Sequence, residues 1–266
     1  MSLVQNRADA WPITRLLNDA RDGNDWLWRS TLAFGAGLLI CMALMLIDHR
    51  LFNGVSVWDK PAKFFLSLGV QFATVSWAIS LLPKRDATGV RVAAVAMSLA
   101  AWFELIYMMF RASRGEASHF NDTTILAHVM YGAMGIGALT LTTTAFYIGY
   151  LVWRQRKQSL ITEATGLGLM LGMILATVAG GYMSAQTSHW VGGELNDAHG
   201  LGIFAWSTSG GDLRVAHFAG MHVAQFLPLA AVSADRRVVL VVAAVLVIAT
   251  GAIFTQAVLG NPLLHA

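Results

Sequence analysis

Histidine is the residue of this sequence with the widest range of possible chemistry, because imidazole binds metal ions and haem iron and carries protons near neutral pH. The chain has eight: His49, His119, His128, His189, His199, His217, His222 and His265. The topology predicted below places all of them in the loops, or in the half of the helices, on one side of a membrane. This segregation predicts a functional site at that face.

The composition indicates an integral membrane protein. Of 266 residues, 56% are hydrophobic and only 12% are charged, and the mean hydropathy is +0.58. A soluble domain has about 25% charged residues. The formal net charge of +3 comes from basic residues in short loops rather than from a basic patch, so no nucleic-acid partner is expected.

Seven apolar stretches approach the roughly 20 residues that a membrane-spanning helix needs. They cover residues 31–48, 64–82, 92–110, 124–152, 162–184, 214–233 and 238–258. We therefore predict an all-α bundle of seven transmembrane helices over residues 31–258. Residues 1–30 are expected to hold an interfacial helix, residues 185–213 to form a lid loop, and residues 259–266 to be a short tail.

Lysine and arginine counts orient the bundle. One side carries twelve of these residues, and the other carries six: Arg50, Lys60, Lys63, Arg111, Arg114 and Arg214. The excess predicts a cytoplasmic N-terminus and a C-terminus outside. Short arginine-rich cytoplasmic loops, without a targeting segment, favour a bacterial inner membrane. The histidines then lie towards the outside.

Glu104 is the first candidate for chemistry, because an ionisable group inside a membrane span is costly and marks a functional site by default. It stands seven residues before Arg111, nearly two helical turns, so both side chains share one face. Two interpretations are open. Glu104 and Arg111 act as catalytic groups, or they form a buried ion pair that fixes helix packing.

His128 is predicted to lie at a similar depth. Asn121 or Asp122 is expected to cap the helix that follows, which puts His128 about 9 Å below the helix end. The match in depth with Glu104 favours a shared site. The alternative is a hydrogen-bonded histidine of the protein core.

Residues 212–225 add two further histidines and Arg214. His217 and His222 are five residues apart, or about 140° around a helix axis. They are therefore not expected to bind one metal ion together, as an i,i+4 pair does.

Two more features have open interpretations. Lys60 and Lys63 either reach lipid headgroups or form an anion site at the outer face. Gly168 and Gly172 have the spacing of close helix packing, but they could instead leave room for a flat cofactor.

The leading functional hypothesis is a bound cofactor in the outer half. A b-type haem would use His128 and His222 as ligands, with Arg111, Arg114 and Arg214 near its propionates. A Zn, Fe or Cu ion would instead use Glu104, His128, and His217 or His222. Either cofactor would support redox or related chemistry with a lipid-soluble partner such as a quinone.

Two other classes remain open. In a proton-coupled transporter or receptor, Glu104 and the histidines would relay protons. In a structural or assembly subunit of a larger membrane complex, the tryptophan-rich lid would be a docking surface. Whether the protein is an enzyme stays open.

Three stretches resemble a group of uncharacterised bacterial multi-spanning membrane proteins. They are KPAKFFLS at 60–67, RGEASHFN at 114–121 and GDLRVAHFAGMHVAQFLP at 211–228. The resemblance covers about residues 50–233. It implies a multi-spanning helical fold and brings no activity with it.

Overall fold

The computed structural model describes residues 12–121, 123–233 and 235–265. Within these ranges the chain is predominantly α-helical, which confirms the all-α part of the predicted fold class. The helices are α1 (Pro12–Gly23), α2 (Asp25–Ile47), α3 (Asp59–Ser80), α4 (Thr88–Ser113), α5 (Ile125–Arg154), α6 (Leu160–Ala185), α7 (Leu213–Ala230) and α8 (Arg236–Val258).

Six of these helices, namely α2 to α6 and α8, are long and apolar enough to cross a membrane. The helix α7 has 18 residues and is not among the six. Four polar residues reduce its apolar character: Arg214, His217, His222 and Gln225. The sixth apolar stretch of the sequence is thus a helix, but it differs in polarity from the other six.

Except for α5, which begins one residue later, the helices of the seven apolar stretches begin earlier than hydropathy predicts, because residues before the apolar core belong to the helix. Asn24 caps α2 by accepting a hydrogen bond from the backbone N–H of Leu27. Thr124 caps α5 in the same way. The prediction that Asn121 caps α5 was wrong, since its Oδ1 accepts hydrogen bonds from Thr123 instead. The alternative cap, Asp122, lies outside the described residues.

Glycines allow α6 to pack directly on its neighbours. A Cβ at Gly166 would lie 2.4 Å from the backbone nitrogen of Trp153 on α5. A Cβ at Gly172 would lie 3.1 Å from the carbonyl oxygen of Gly220 on α7, and one at Gly168 would lie 2.9 Å from that of Val223. The glycines therefore serve close helix packing. They leave no space for a flat cofactor at these contacts.

An aromatic cluster forms part of the core between α2, α3 and α4. Phe34 and Phe72 are fully buried, and their rings meet edge to face at 5.0 Å. The Phe34 ring also lies 5.0 Å from that of Trp102. This contact fixes the three helices side by side, so that the ends of α3 and α4 present their side chains to a common space.

The helix α1 lies against one end of the bundle. The Ser76 hydroxyl of α3 donates to the carbonyl of Ala20 at 2.6 Å, and Arg85 donates to the carbonyl of Asp22 at 3.2 Å. A helix was predicted in this segment. Residues 1–11, which include Arg7 and Trp11, lie outside the described ranges.

The opposite end, which we call the lid end, gathers the long connections. Strands β1 (Leu51–Phe52) and β2 (Val55–Ser56) form one antiparallel pair. Strands β3 (Trp190–Val191) and β4 (Gly211–Asp212) form another, which frames the lid, residues 186–212. The backbone N–H of Asp197 in the lid donates to the carbonyl of Asn53 at 2.8 Å. The predicted lid loop therefore contacts the turn between β1 and β2.

The C-terminal tail also reaches the lid end. His265 lines a surface pocket together with His199 and Glu194 of the lid. The connection between α1 and α2 and the tail after α8 thus lie at opposite ends of the bundle.

Candidate functional site

Ion pairs at the lid end occupy most of its cations. The pairs are Arg50 with Asp48, Lys63 with Asp59, Arg111 and Arg114 with Glu116, and Arg214 with Asp197 and Asp212. Lys60 is different. Its side chain is exposed, and it forms no ion pair with any carboxylate in the described part of the chain. Lys60 therefore has an ammonium group available for a ligand.

Glu104 lies on α4 near this end and is only 3% exposed. Its Oε2 is 3.9 Å from His119 Nε2, which is too long for a hydrogen bond. Its Oε1 is buried and has no hydrogen-bond partner among the described residues. A Cβ at Gly137 of α5 would lie 2.7 Å from that oxygen. Because Gly137 has no side chain, α5 leaves the space that the carboxyl group of Glu104 occupies.

The predicted ion pair between Glu104 and Arg111 was wrong. Arg111 Nη1 lies 2.8 Å from Glu116 Oε2, and its Nε donates to the carbonyl of Ala117 at 3.0 Å. The chain turns after α4, which brings Glu116 back onto the arginine. Glu104 is left facing the interior without a cation bound to it.

His119 bridges the Glu104 region and an aromatic cluster. Its Nδ1 is 3.1 Å from the Ser118 hydroxyl, and its ring lies 5.7 Å from Phe64 and 6.2 Å from Tyr131. Desolvation, followed by the positive charge of Lys60, holds the pKa of His119 well below its usual value. His119 is therefore neutral at neutral pH.

Lys60 lies between charges from three parts of the fold. The positive charge of Arg214 on α7 repels it, and the carboxyl groups of Glu104 on α4 and Asp197 in the lid attract it. We call Lys60, Glu104 and His119 the Lys60 site, with Asp197 and Arg214 at its edge.

Arg214 attaches the lid to α7. Its Nη2 lies 2.7 Å from Asp197 Oδ1 and 2.7 Å from Asp212 Oδ2, and it also donates to the carbonyl of Ala205 at 2.8 Å. Burial raises the pKa of Asp197, but its contacts with His189 and Arg214 lower that pKa more, so the net shift is downward. The lid thus closes over α7 through a charged network.

The lid contains two further polar atoms without partners. His189 Nε2 and Trp190 Nε1 are buried and make no hydrogen bond to the described residues. The two rings lie 3.9 Å apart, and His189 Nε2 is 3.8 Å from Asp197 Oδ1. Phe120, whose φ of +54° is rare for a side chain of its size, places its ring 6.3 Å from His189. Backbone strain of this kind is concentrated at functional sites.

Two of the histidines at the lid end, His119 and His189, predict that the stability of the protein depends on pH. Burial also lowers the pKa of His189, so both His119 and His189 bind protons less readily in the folded protein than in the unfolded chain. The unfolded chain then takes up more protons as the pH falls below about 6.5, and acidification destabilises the folded state. We expect the melting temperature in detergent to fall between pH 7.5 and pH 5.5. The fall should be smaller in a His119→Gln, His189→Gln double variant. An equal fall in that variant would show that other groups cause it.

The other predicted site residues do not join this cluster. His128 is exposed on α5, and its side chain makes no hydrogen bond or ring contact with the described residues. His217 Nδ1 is 2.9 Å from the carbonyl of Ala176, and His222 Nδ1 is 3.1 Å from Gln225 Oε1. Arg114 is bound to Glu116.

The predicted cofactor ligands therefore do not converge. The helix α6 packs against both α5 and α7, which carry His128 and His222 respectively. Across the described ranges, no group of three or more His, Cys, Asp or Glu side chains is placed to hold a metal ion. Haem or metal binding stays a prediction without support from the geometry of these residues.

The structure adds His119, His189, Asp197 and Lys60 to the site. His119 had a signal in the sequence, since it lies in the RGEASHFN stretch, and Lys60 had one in KPAKFFLS. No sequence pattern indicated that these residues lie near Glu104, because their proximity depends on how the lid and the loops fold.

Comparison with known proteins gives no relative. No protein-family model matches the chain, and no curated protein or solved structure matches it significantly. The resemblance to uncharacterised membrane proteins stays a prediction.

Proposed function

We propose that this protein binds, at its lid end, a small ligand that carries an anionic group beside a hydrogen-bond donor. One observation supports the proposal above all. Lys60 forms no ion pair, although Glu104 and Asp197 attract it, and the buried Oε1 of Glu104 has no hydrogen-bond donor, among the residues that the structure describes.

The chemistry of the ligand follows from these two groups. The Lys60 ammonium attracts a phosphate, sulfate or carboxylate, and the Glu104 oxygen accepts a proton donor such as an amine or a hydroxyl. A buried polar atom without a partner costs free energy, and a ligand that supplies the missing bond recovers it. Lys60 and Glu104 do not contact each other directly, so a ligand between them satisfies both.

The aromatic rings around the site complete it. Phe64, Phe120 and Tyr131 surround His119, and the lid closes the opposite side through Arg214. These rings give the His119 side of the site an apolar wall. A free solute and the headgroup of a lipid both have the required chemistry.

The membrane placement is part of the proposal. We propose that α7 is a seventh span, since its 18 residues reach about 27 Å and it packs between α6 and α8.

The excess of Lys and Arg at the α1 end favours a cytoplasmic N-terminus and an outward lid end, in a bacterial inner membrane. A reporter fused after Ala266 is expected outside, and a cytoplasmic signal would contradict this orientation.

The binding proposal is tested with three probes and purified protein. Phosphoethanolamine has both the anion and the N–H donor, phosphocholine lacks the donor, and ethanolamine lacks the anion. We expect calorimetric titration to show the tightest binding for phosphoethanolamine. Lys60→Gln should weaken that binding roughly tenfold to a hundredfold, the value of one or two charge-assisted hydrogen bonds.

The matched control is Lys157→Gln, which removes the same charge from an exposed lysine of the α5–α6 loop. It should bind phosphoethanolamine like the wild type. Equal weakening in both variants, or no preference among the three probes, would refute the proposal. Repeating the titration with a short-chain phosphatidylethanolamine distinguishes a lipid headgroup from a free solute.

A further inference from the structure

His222 lies in the middle of α7, away from the Lys60 site. It stands nine residues after the first residue of the helix, or about 13 Å along its axis. The side chain is half-buried, and its Nδ1 lies 3.1 Å from Gln225 Oε1. Gln225 Nε2 donates to the Thr74 hydroxyl of α3 at 2.9 Å, and that hydroxyl donates to the carbonyl of Val70 at 2.8 Å. A directed chain of hydrogen bonds thus links α7 to α3.

This chain fixes the proton on the imidazole. The amide oxygen of Gln225 can only accept, so His222 Nδ1 must carry the hydrogen and donate it. In the neutral ring, Nε2 is then an unprotonated acceptor. No described residue donates a hydrogen bond to this Nε2. The protein therefore holds one basic lone pair of His222 in a set orientation.

The surroundings of His222 are apolar and open to the outside of the bundle. Its ring lies 4.1 Å from Phe218 and 6.2 Å from Phe226, which is 52% exposed. On α3, Val70 precedes Thr74 by one turn and is also exposed. Both helices run away from the lid end, so Val70 and His222 lie at a similar level. We call the space beside Val70, Thr74, His222 and Phe226 the α3/α7 groove.

We propose that the α3/α7 groove binds an uncharged lipophilic alcohol or phenol from the membrane, with its hydroxyl donating to His222 Nε2. Hydrocarbon offers no water to satisfy a polar atom, so an intramembrane imidazole with a fixed free acceptor is a site for a donor. The groove walls are aromatic and aliphatic, and the groups that contact the imidazole carry no charge. They favour a neutral molecule over an ion.

The test uses para-nonylphenol and its methyl ether, which differ by the single donor hydrogen. The full-length protein is reconstituted in nanodiscs, and binding is followed by tryptophan fluorescence, because Trp206 meets Phe218 edge to face and Phe218 contacts His222. We expect the phenol to bind at least about tenfold more tightly than the ether, as the loss of one hydrogen bond to a buried acceptor implies.

His222→Phe should abolish the preference for the phenol, and Gln225→Leu should reduce it by releasing the ring. His128→Phe is the matched control, since that histidine is exposed on α5, and it should keep the preference. Equal binding of phenol and ether by the wild type, or a preference that survives in His222→Phe, would overturn the proposal. Phosphoethanolamine binding by His222→Phe serves as the check of folding, and it reports on the Lys60 site separately.

Discussion

Replacing Arg214 by methionine is expected to lower the free energy of unfolding by about 3–5 kcal/mol, because it leaves two carboxylates at the lid end without their cation. The Asp212 side chain is 1% exposed and that of Asp197 is 11% exposed, so neither can recover hydration without opening the structure. The lid should detach before the bundle unfolds. Thermal unfolding in detergent measures the first effect, and the rate of proteolysis within residues 186–212 measures the second.

Arg114→Met is the matched control. The Arg114 side chain is 56% exposed and pairs with Glu116 at the surface, so its loss should cost about 0–1 kcal/mol. If Arg214→Met melts at the same temperature as Arg114→Met and its lid resists protease equally, the network around Arg214 does not hold the lid.

Glu104→Gln is expected to raise the melting temperature of the ligand-free protein, an unusual result for a change at a buried position. Its Oε1 is buried without a partner, so the carboxyl group costs free energy in the absence of a ligand, and the uncharged amide is expected to recover about 1–3 kcal/mol. The same variant should lose the selectivity for phosphoethanolamine over phosphocholine, because a neutral amide, a weaker acceptor, replaces the carboxyl group that accepts from the ammonium. A gain in stability with a loss of binding is typical of a residue kept for function.

Glu163→Gln is the corresponding control. Glu163 is also buried, but both of its oxygens accept hydrogen bonds from Arg236. Removing its charge should therefore destabilise the protein. A Glu104→Gln variant that loses stability like Glu163→Gln would show that Glu104 has a structural partner, and it would argue against a ligand at this carboxylate.

The helices were predictable because their cause is local. Long apolar runs identify the helices. The N-caps Asn24 and Ser159 start α2 and α6 before their apolar stretches begin, so hydropathy alone placed those starts too late. The cap of α5 was missed because all four residues before the helix, 121–124, are of the capping type, and only the hydrogen bond from Ala127 identifies Thr124 as the cap. Close packing at Gly168 and Gly172 followed from their spacing.

The site was predictable only in part, because it depends on contacts between distant segments. Glu104 was identified from the cost of burying a charge. Its separation from Arg111 follows from a turn that places Glu116 on the arginine, which no helical spacing reveals. Lys60 and Asp197 are far apart in sequence, and the lid brings them together. His128 had a suitable depth, but it faces the outside of the bundle.

Native mass spectrometry of the protein, purified in a mild detergent, tests the central claim most directly. The claim is that Lys60 and Glu104 together hold an anionic ligand with a donor group. We expect a bound molecule to add mass to the wild type and to Lys157→Gln, but not to Lys60→Gln or Glu104→Gln. On fragmentation, the bound molecule should show a phosphate, sulfate or carboxylate group together with an amine or a hydroxyl. The same added mass on all four proteins would contradict it.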